Sequence, residues 1–219
     1  GVIKVLSNNK ILSLLKKSSQ YSLDKKILLE NYIKGTHYIV DIFCDQYIYG
    51  IKSKSANGIL TKHIKFQRLK KNSKNVIEKK LFNVANEVIR VFNFDINLHV
   101  TIEFIFKKNG GIYLLEAANR GAGVCISNLI FSHLTGCDIA SLFILKWINL
   151  YKKFDKDFTL RSIPKYNNVV LKYSKKPPSL NEKKNLIFNA KLKPKKSSIY
   201  FTDGVFLNNY VFAVSKLSE

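Results

Sequence analysis

The sequence is poor in several residue types, and each shortage excludes a class of protein. Its three cysteines, Cys44, Cys125 and Cys137, are an odd number without the spacing of a metal site. They give no disulfide framework and favour a reducing, cytoplasmic location. No apolar run approaches the ~20 residues that span a bilayer, which argues against a membrane helix. The chain contains no methionine and begins at Gly1, so we expect further sequence on both sides of it.

Arginine and the acidic residues are also scarce, although the chain is strongly basic. Lysine and arginine together number 37 against 15 aspartates and glutamates, which gives a formal net charge of +22. Such a charge attracts polyanions, of which nucleic acid is the obvious one. Only four of the basic residues are arginine, the usual reader of bases and bidentate binder of phosphate. The composition therefore favours a solvated lysine surface over a nucleic-acid interface.

The hydrophobic fraction of 46% is enough for one good core or two modest ones, and the local patterns indicate mixed α and β structure. Apolar residues at steps of three and four predict a helix over 75–94 that packs one face against a sheet. All four prolines fall after residue 150, among short β-rich pieces. We therefore predict a boundary between 1–157 and a small β-rich segment, 158–219. Extended runs predict strands at 26–33, 37–43, 47–54, 59–67, 98–106 and 111–116.

The last two of these strands flank Asn109-Gly110, a pair typical of a two-residue type I′ turn, in which both residues need positive φ. The pairs that follow from this turn are Phe106 with Tyr113, Phe104 with Leu115, and Glu103 with Glu116. Alternation places both carboxylates on one face, with Cβ atoms ~5 Å apart. It predicts an unbroken core surface on the other face, formed by Ile102, Phe104, Phe106, Tyr113 and Leu115.

Two like charges so close together destabilise a sheet unless something neutralises them. A shared proton, a lysine or a divalent cation would do so, and two solvent-facing glutamates are the plain alternative. Oxygen ligands suit Mg²⁺, which takes one or two carboxylates plus the phosphates of a nucleotide. Arg120 follows Glu116 by four residues, Gly121 and Gly123 let backbone amides approach an anion, and Ser127 opens a helix. Phosphoryl transfer needs this combination of charges and positions.

In this order and spacing, the motifs resemble those of the ATP-grasp superfamily of carboxylate–amine and carboxylate–thiol ligases. The similar segments are 27–35 for the hinge strand, 99–106 with 112–120 for the paired magnesium strands, 134–139 for the motif that follows, and 1–5 for the strand leaving the phosphate loop. The resemblance implies an α+β ATP-grasp fold, an antiparallel sheet packed by helices with a small β-rich C-terminal segment. It also implies that nucleotide-binding lysines and most of the phosphate loop lie upstream of Gly1, so that this fragment alone is not expected to turn over.

The resemblance further implies a role for each site residue. Glu103 and Glu116 would bind Mg²⁺, or Mn²⁺ in its place, beside ATP. Arg120 would stabilise an acyl-phosphate made from a substrate carboxylate and the γ-phosphate. The expected nucleotide-binding residues are Glu30, Asn31 and Ile33 at the adenine and His37 at the ribose. Lys62, on the strand predicted at 59–67, is expected near the nucleotide, with an exposed basic strand as the plain alternative. Two positions depart from the family pattern, with His37 in place of a glutamate and Ala118 in place of a metal-ligating asparagine.

The function predicted on this basis is an ATP-dependent ligase that activates a small-molecule carboxylate for attack by an amine or another nucleophile. A bicarbonate- or biotin-type ATP-grasp enzyme of carbamoyl-phosphate or purine pathways is the alternative among enzymes. A lysine-based module that binds polyanions or nucleic acid is the alternative from another class. The sequence indicates no membrane association and leaves the oligomeric state open.

Overall fold

An antiparallel sheet of eight strands forms the centre of the fold in the computed structural model. The structure describes residues 4–5, 10–54, 61–96, 98–121, 126–136, 139, 141, 144, 166, 168–174, 176–191 and 210–215. Within these residues the strands are β1 (Thr36–Phe43), β2 (Gln46–Lys54), β3 (Thr61–Arg68), β4 (Val100–Phe106), β5 (Ile112–Ala118), β6 (Asn168–Ser174), β7 (Leu186–Lys191) and β8 (Tyr210–Ser215). Their spatial order is β5-β4-β1-β2-β3-β6-β8-β7.

Short helices and one long helix connect and cover the strands. The long helix, α2 (Val76–Phe92), begins at Asn75, whose side chain accepts hydrogen bonds from the amides of Ile77 and Glu78, and ends at Asn93 with a left-handed φ of 51°. The other described helices are α1 (Ile11–Ser19), a π-helix (Ile126–Phe131), α3 (Ser132–Thr135) and α4 (Leu180–Lys184). No helix in the described part of the chain is both long enough and apolar enough to cross a membrane.

The two faces of the sheet carry separate cores. On one face, the α2 face, Leu81, Ala85 and Val88 of α2 join a cluster with Val40 of β1 and Phe104 of β4. On the other, the π-helix face, a second cluster is formed by Ile39, Phe43, Ile48, Phe66, Phe131 and Leu134. β1 therefore alternates between the two cores, as a strand covered on both sides requires.

The β1–β2 hairpin fixes which residues of these strands lie side by side. Its loop is Cys44-Asp45, whose φ angles of 47° and 58° are both positive, as a two-residue type I′ turn requires. The register that follows pairs His37 with Lys52. Since directly paired residues share a face, these two side chains lie together on the π-helix face with Ile39 and Asp41.

The prediction of an α+β fold with an antiparallel sheet packed by helices is confirmed. The predicted strand at 26–33 is wrong, because these residues form no strand and join no sheet. A strand is stable only when its amides and carbonyls meet a partner strand, and the described residues supply none there. The division into 1–157 and 158–219 stays a prediction, although the described strands of the second segment extend the same sheet through β3 and β6.

The β4–β5 hairpin differs from the prediction at its turn. The amide of Lys107 donates to the carbonyl of Gly111 (2.8 Å), so the loop has three residues instead of two. Gly110 has a φ of +88°, whereas Asn109 does not have a positive φ. A three-residue loop with a left-handed glycine is the next most common hairpin connection. The pairs near the turn are therefore Phe106 with Ile112 and Phe104 with Leu114, one residue from those predicted.

The predicted core surface is also wrong on β5. Ile102 and Phe104 of β4 are fully buried, but Tyr113, Leu114 and Leu115 are 38–45% exposed. β5 is the edge strand of the sheet, paired only with β4 among the described strands. The one-residue shift also pairs Tyr113 with Ile105, which places Tyr113 on the π-helix face instead of beside Phe104.

Candidate functional site

A β-bulge brings Glu103 and Glu116 to the same face of the sheet. The β4–β5 register shifts between Glu103 and Phe104, with Leu115 as the extra residue. Beyond this bulge Glu103 pairs with Glu116, and Thr101 pairs with Ala118. The predicted pairing of the two carboxylates is therefore confirmed, although the turn that led to it was not. Both lie on the π-helix face, because Glu103 also pairs with Ile39 of β1.

Two nitrogen donors hold the carboxylate of Glu103. Nζ of Lys52 lies 2.5 Å from Oε1, and Nε2 of His37 lies 2.9 Å from Oε2. The side chains of Glu103 and Lys52 are only 19% and 12% exposed. Burial by itself raises the pKa of Glu103, but the His37 hydrogen bond and the charge of Lys52 outweigh it and hold the pKa at about 2. Of the three neutralisers considered from the sequence, a lysine is present.

His37 is a neutral donor in this group. Burial lowers the pKa of His37, an effect that the hydrogen bond to Glu103 opposes and the charge of Lys52 reinforces. Its Nε2–H donates to Glu103, which leaves Nδ1 as an acceptor. Nδ1 is buried without a hydrogen-bond partner within the described residues. The contact of His37 with a ribose stays a prediction, and Nδ1 is the acceptor atom that such a contact would use.

Glu116 and Arg120 form an exposed ion pair beside this group. Nη2 of Arg120 lies 2.9 Å from Oε1 of Glu116, and both side chains are more than half exposed. An exposed pair of this kind contributes little to stability, since water screens both charges. Glu116 and Arg120 are therefore free to take other partners at small cost, whereas Glu103 is not.

A buried polar cluster lies next to Glu103 on the same face. Asp41 is fully buried, and its two oxygens bind Nε2 of His99 (2.8 Å) and Oγ1 of Thr101 (2.5 Å). The Thr101 hydroxyl also lies 3.0 Å from the carbonyl oxygen of Arg120. The cluster thus ties the main chain at Arg120 to the centre of the sheet. His99 has the structural hydrogen bond expected of a buried histidine.

The remaining predicted site residues lie outside this group. Glu30 and Asn31 are exposed, and Ile33 is half-buried, in the segment before β1 that forms no strand. Lys62 is exposed on β3. Ala118 shares the carboxylate face through its pair with Thr101 but offers no ligand atom. Gly123 and parts of the motifs at 1–5 and 134–139 lie outside the described residues.

The two carboxylates fit a magnesium ion by their chemistry. Within the described residues, no three His, Cys, Asp or Glu side chains gather around one point. Mg²⁺, however, is usually held by one or two carboxylates, with water and substrate phosphates as its other ligands. An ionised carboxylate has about four acceptor positions, so Glu103 keeps capacity beyond its two partners. Glu116 is open to solvent.

Lys52 and Asp41 are functional candidates that the sequence reasoning missed. Lys52 could have been found from its pairing with His37, had Cys44-Asp45 been taken as the loop of the β1–β2 hairpin. Asp41 had no comparable signal, because its partners lie 58 and 60 residues away along the chain. Only the β1–β4 register brings them together.

Comparison with solved structures identifies the fold. An L-amino acid ligase from Bacillus licheniformis matches the whole chain with a TM-score of 0.63 at 14% identity, over 56% of its own length. The biotin carboxylase domain of a Hydrogenobacter thermophilus 2-oxoglutarate carboxylase, in complex with MgADP, ADP and bicarbonate, matches 95% of the chain with a TM-score of 0.54 at 12% identity, over 48% of its own length. A biotin carboxylase from Campylobacter jejuni matches 96% of the chain with a TM-score of 0.54 at 12% identity, over 49% of its own length.

The chain has the ATP-grasp fold. The fold implied by the motifs is thereby confirmed. The chain spans about half the length of these ATP-grasp structures. No family model and no curated protein sequence matches it.

Proposed function

We propose that the protein is an ATP-dependent ligase, or the part of one that binds ATP and Mg²⁺, which activates a carboxylate as an acyl-phosphate for attack by an amine or another nucleophile. The observation that carries the proposal is the pairing of Glu103 with Glu116 on one face of an ATP-grasp sheet, with Arg120 beside them. The match of the whole chain to an L-amino acid ligase supports this class of reaction.

In this proposal each residue of the group has a distinct task. Glu103 and Glu116 hold the metal, Glu103 as the fixed ligand and Glu116 as the mobile one, because only Glu103 is anchored by buried partners. Bound Mg²⁺ would neutralise the phosphates of the nucleotide. Arg120 turns from Glu116 to the negative charge that develops as the carboxylate accepts a phosphoryl group. The hydroxyl of Thr101 fixes the main chain at Arg120 by its contact with the Arg120 carbonyl oxygen.

The nucleotide is assigned to the segment before β1 and to the start of β1. Glu30, Asn31 and Ile33 would line the adenine pocket. His37 would accept a hydrogen bond from a ribose hydroxyl at Nδ1, the atom that has no partner within the described residues. A neutral imidazole acceptor can thus replace the carboxylate that the family pattern has at this position. Lys62 would lie near the nucleotide.

Magnesium-dependent binding of a non-hydrolysable ATP analogue tests the proposal. Titration calorimetry of the wild type with the analogue, with and without Mg²⁺, is compared with the same titrations of Glu116→Gln. Removing one charged ligand should weaken binding in Mg²⁺ about ten-fold or more, since a charge-assisted contact is worth ~1.5–3 kcal/mol and ~1.4 kcal/mol is ten-fold. Glu87→Gln, an exposed change on α2, is the matched control. Equal affinities for all three proteins would refute the assignment.

The similarity to biotin carboxylases supports a second candidate, a bicarbonate- or biotin-type ATP-grasp enzyme, which is tested beside the first. In the full-length protein, an enzyme of the first class should release ADP only when a carboxylic acid and an amine are supplied together. One of the second class should release ADP when bicarbonate is supplied. The lysine-rich surface is tested separately by binding to DNA of arbitrary sequence, where a strong decrease in affinity with salt would favour a polyanion-binding module instead.

A further inference from the structure

Lys52 holds one oxygen of Glu103, whose remaining lone pairs a metal ion would use beside the ammonium group. Its ammonium group lies 2.5 Å from Oε1, on a side chain that is only 12% exposed, and His37 engages the other oxygen. No other acidic side chain lies within ion-pair distance of Lys52 among the described residues. A role for Lys52 at this site rests on the proposed function, because it concerns how Glu103 binds the metal.

A bare metal ion and Lys52 compete for the same carboxylate. Two cations at one oxygen repel each other, and the repulsion is stronger at a half-buried site than in water. Moving Lys52 away from Glu103 is also costly, because the desolvation of a buried ammonium group is then no longer offset by an anionic partner. Glu103 should therefore bind a free metal ion weakly while Lys52 stays in place.

Nucleotide phosphates would offset both the repulsion between the metal ion and Lys52 and the cost of moving Lys52 away from Glu103. They bring negative charge that offsets the added dication, and they offer the ammonium of Lys52 an alternative anionic partner. The flexible four-carbon stem of lysine allows its head group to change partners without moving the backbone of β2. Glu103 can then share its oxygen with a metal that arrives together with the nucleotide.

We propose that Lys52 is a resident counter-ion of Glu103 which couples metal binding to nucleotide binding. In the nucleotide-free protein it keeps Glu103 neutralised and weakens the binding of free divalent cations. With nucleotide present it transfers to the phosphates and releases Glu103. By linkage, the nucleotide raises metal affinity by the same factor as the metal raises nucleotide affinity.

The coupling is measured with Mn²⁺ by electron paramagnetic resonance, in the absence and presence of a non-hydrolysable ATP analogue. The ratio of the two Mn²⁺ dissociation constants is the coupling factor. For Lys52→Gln, we expect free Mn²⁺ to bind more tightly than to the wild type and the coupling factor to fall about ten-fold, within the usual range of such couplings. Lys52→Met serves as a second neutral variant should the glutamine form not fold.

Lys172→Gln is the matched control. Lys172 also forms a pair with a glutamate, Nζ to Oε1 of Glu182 at 2.6 Å, but at β6 and α4, away from Glu103. Its coupling factor should equal that of the wild type. Should Lys52→Gln also keep the wild-type coupling factor and free Mn²⁺ affinity, the role of Lys52 is refuted while the proposed function stands. A wild type that binds no Mn²⁺ even with the analogue refutes the proposed function itself.

Discussion

Acidification should destabilise the folded protein through Glu103 by a predictable amount. The pKa of this carboxyl falls from an ordinary 4.5 to about 2 in the folded chain. At ~1.36 kcal/mol for each pH unit between the two values, ionised Glu103 stabilises the fold by about 3 kcal/mol. The side chain is 19% exposed and has two buried partners, so solvent screening is small.

The sign of the effect follows from which state binds the proton first. The pKa of Glu103 is depressed in the folded state, so its full contribution is present above about pH 4.5, where both states are ionised. As the pH falls towards about 2, Glu103 binds a proton in the unfolded chain while it is still ionised in the folded chain. The contribution therefore decreases through this window.

Urea unfolding at a series of pH values measures the effect. The free energies of unfolding of the wild type and Glu103→Gln are compared at each pH by circular dichroism. Their difference should decrease by about 3 kcal/mol between pH ~5 and ~2, because the variant cannot ionise at this position. Glu87→Gln, exposed on α2, should show a difference that stays flat. If the Glu103→Gln difference were also flat, Lys52 and His37 would not stabilise the carboxylate.

Two further substitutions test the structure around the site. Thr101→Val removes the hydroxyl that binds Asp41 and faces the carbonyl of Arg120. It should lower the unfolding free energy by about 2 kcal/mol, as loss of a hydrogen bond to a charged group does, whereas Thr101→Ser should restore most of it in the same urea titration. Gly50→Ala should cost about 1–3 kcal/mol by overpacking, seen as a lower melting temperature. Its Cβ would lie 2.6–2.7 Å from buried side chains of Phe66, Ile39 and Ile64, and unchanged melting would contradict this packing.

Local signals were sufficient for much of the fold. The helix over 75–94 was predicted within two residues at each end, because its apolar stripe and its Asn75 cap are both local in sequence. The five strands predicted between residues 37 and 116 followed for the same reason. The run at 26–33 has the composition of a strand but forms none, because strand formation also depends on a neighbouring chain segment.

The candidate site was harder to predict because most of its contacts are non-local. Alternation along β4 and β5 brought Glu103 and Glu116 together in the prediction. The partners that hold Glu103 come from β1 and β2, and His37 is 66 residues away along the chain. Finding them needs the order of strands in the sheet, which depends on packing over the whole chain. A lysine is therefore one of the neutralisers that the sequence suggests, but the sequence does not identify it as Lys52.

The correct pairing of the two carboxylates resulted from two shifts that cancel. The three-residue loop moves the β5 register by one residue, which would place Glu116 opposite Ile102 on the α2 face, where the core is apolar. The bulge at Leu115 moves it back, so that Glu116 pairs with Glu103. A bulge leaves one residue of the strand unpaired and locally disrupts the sheet. Bulges recur next to active sites, where they change the direction in which a side chain points. Because an unbulged strand would have turned Glu116 towards the apolar α2 face, the bulge allows this hairpin to carry apolar residues on one face and a pair of carboxylates on the other.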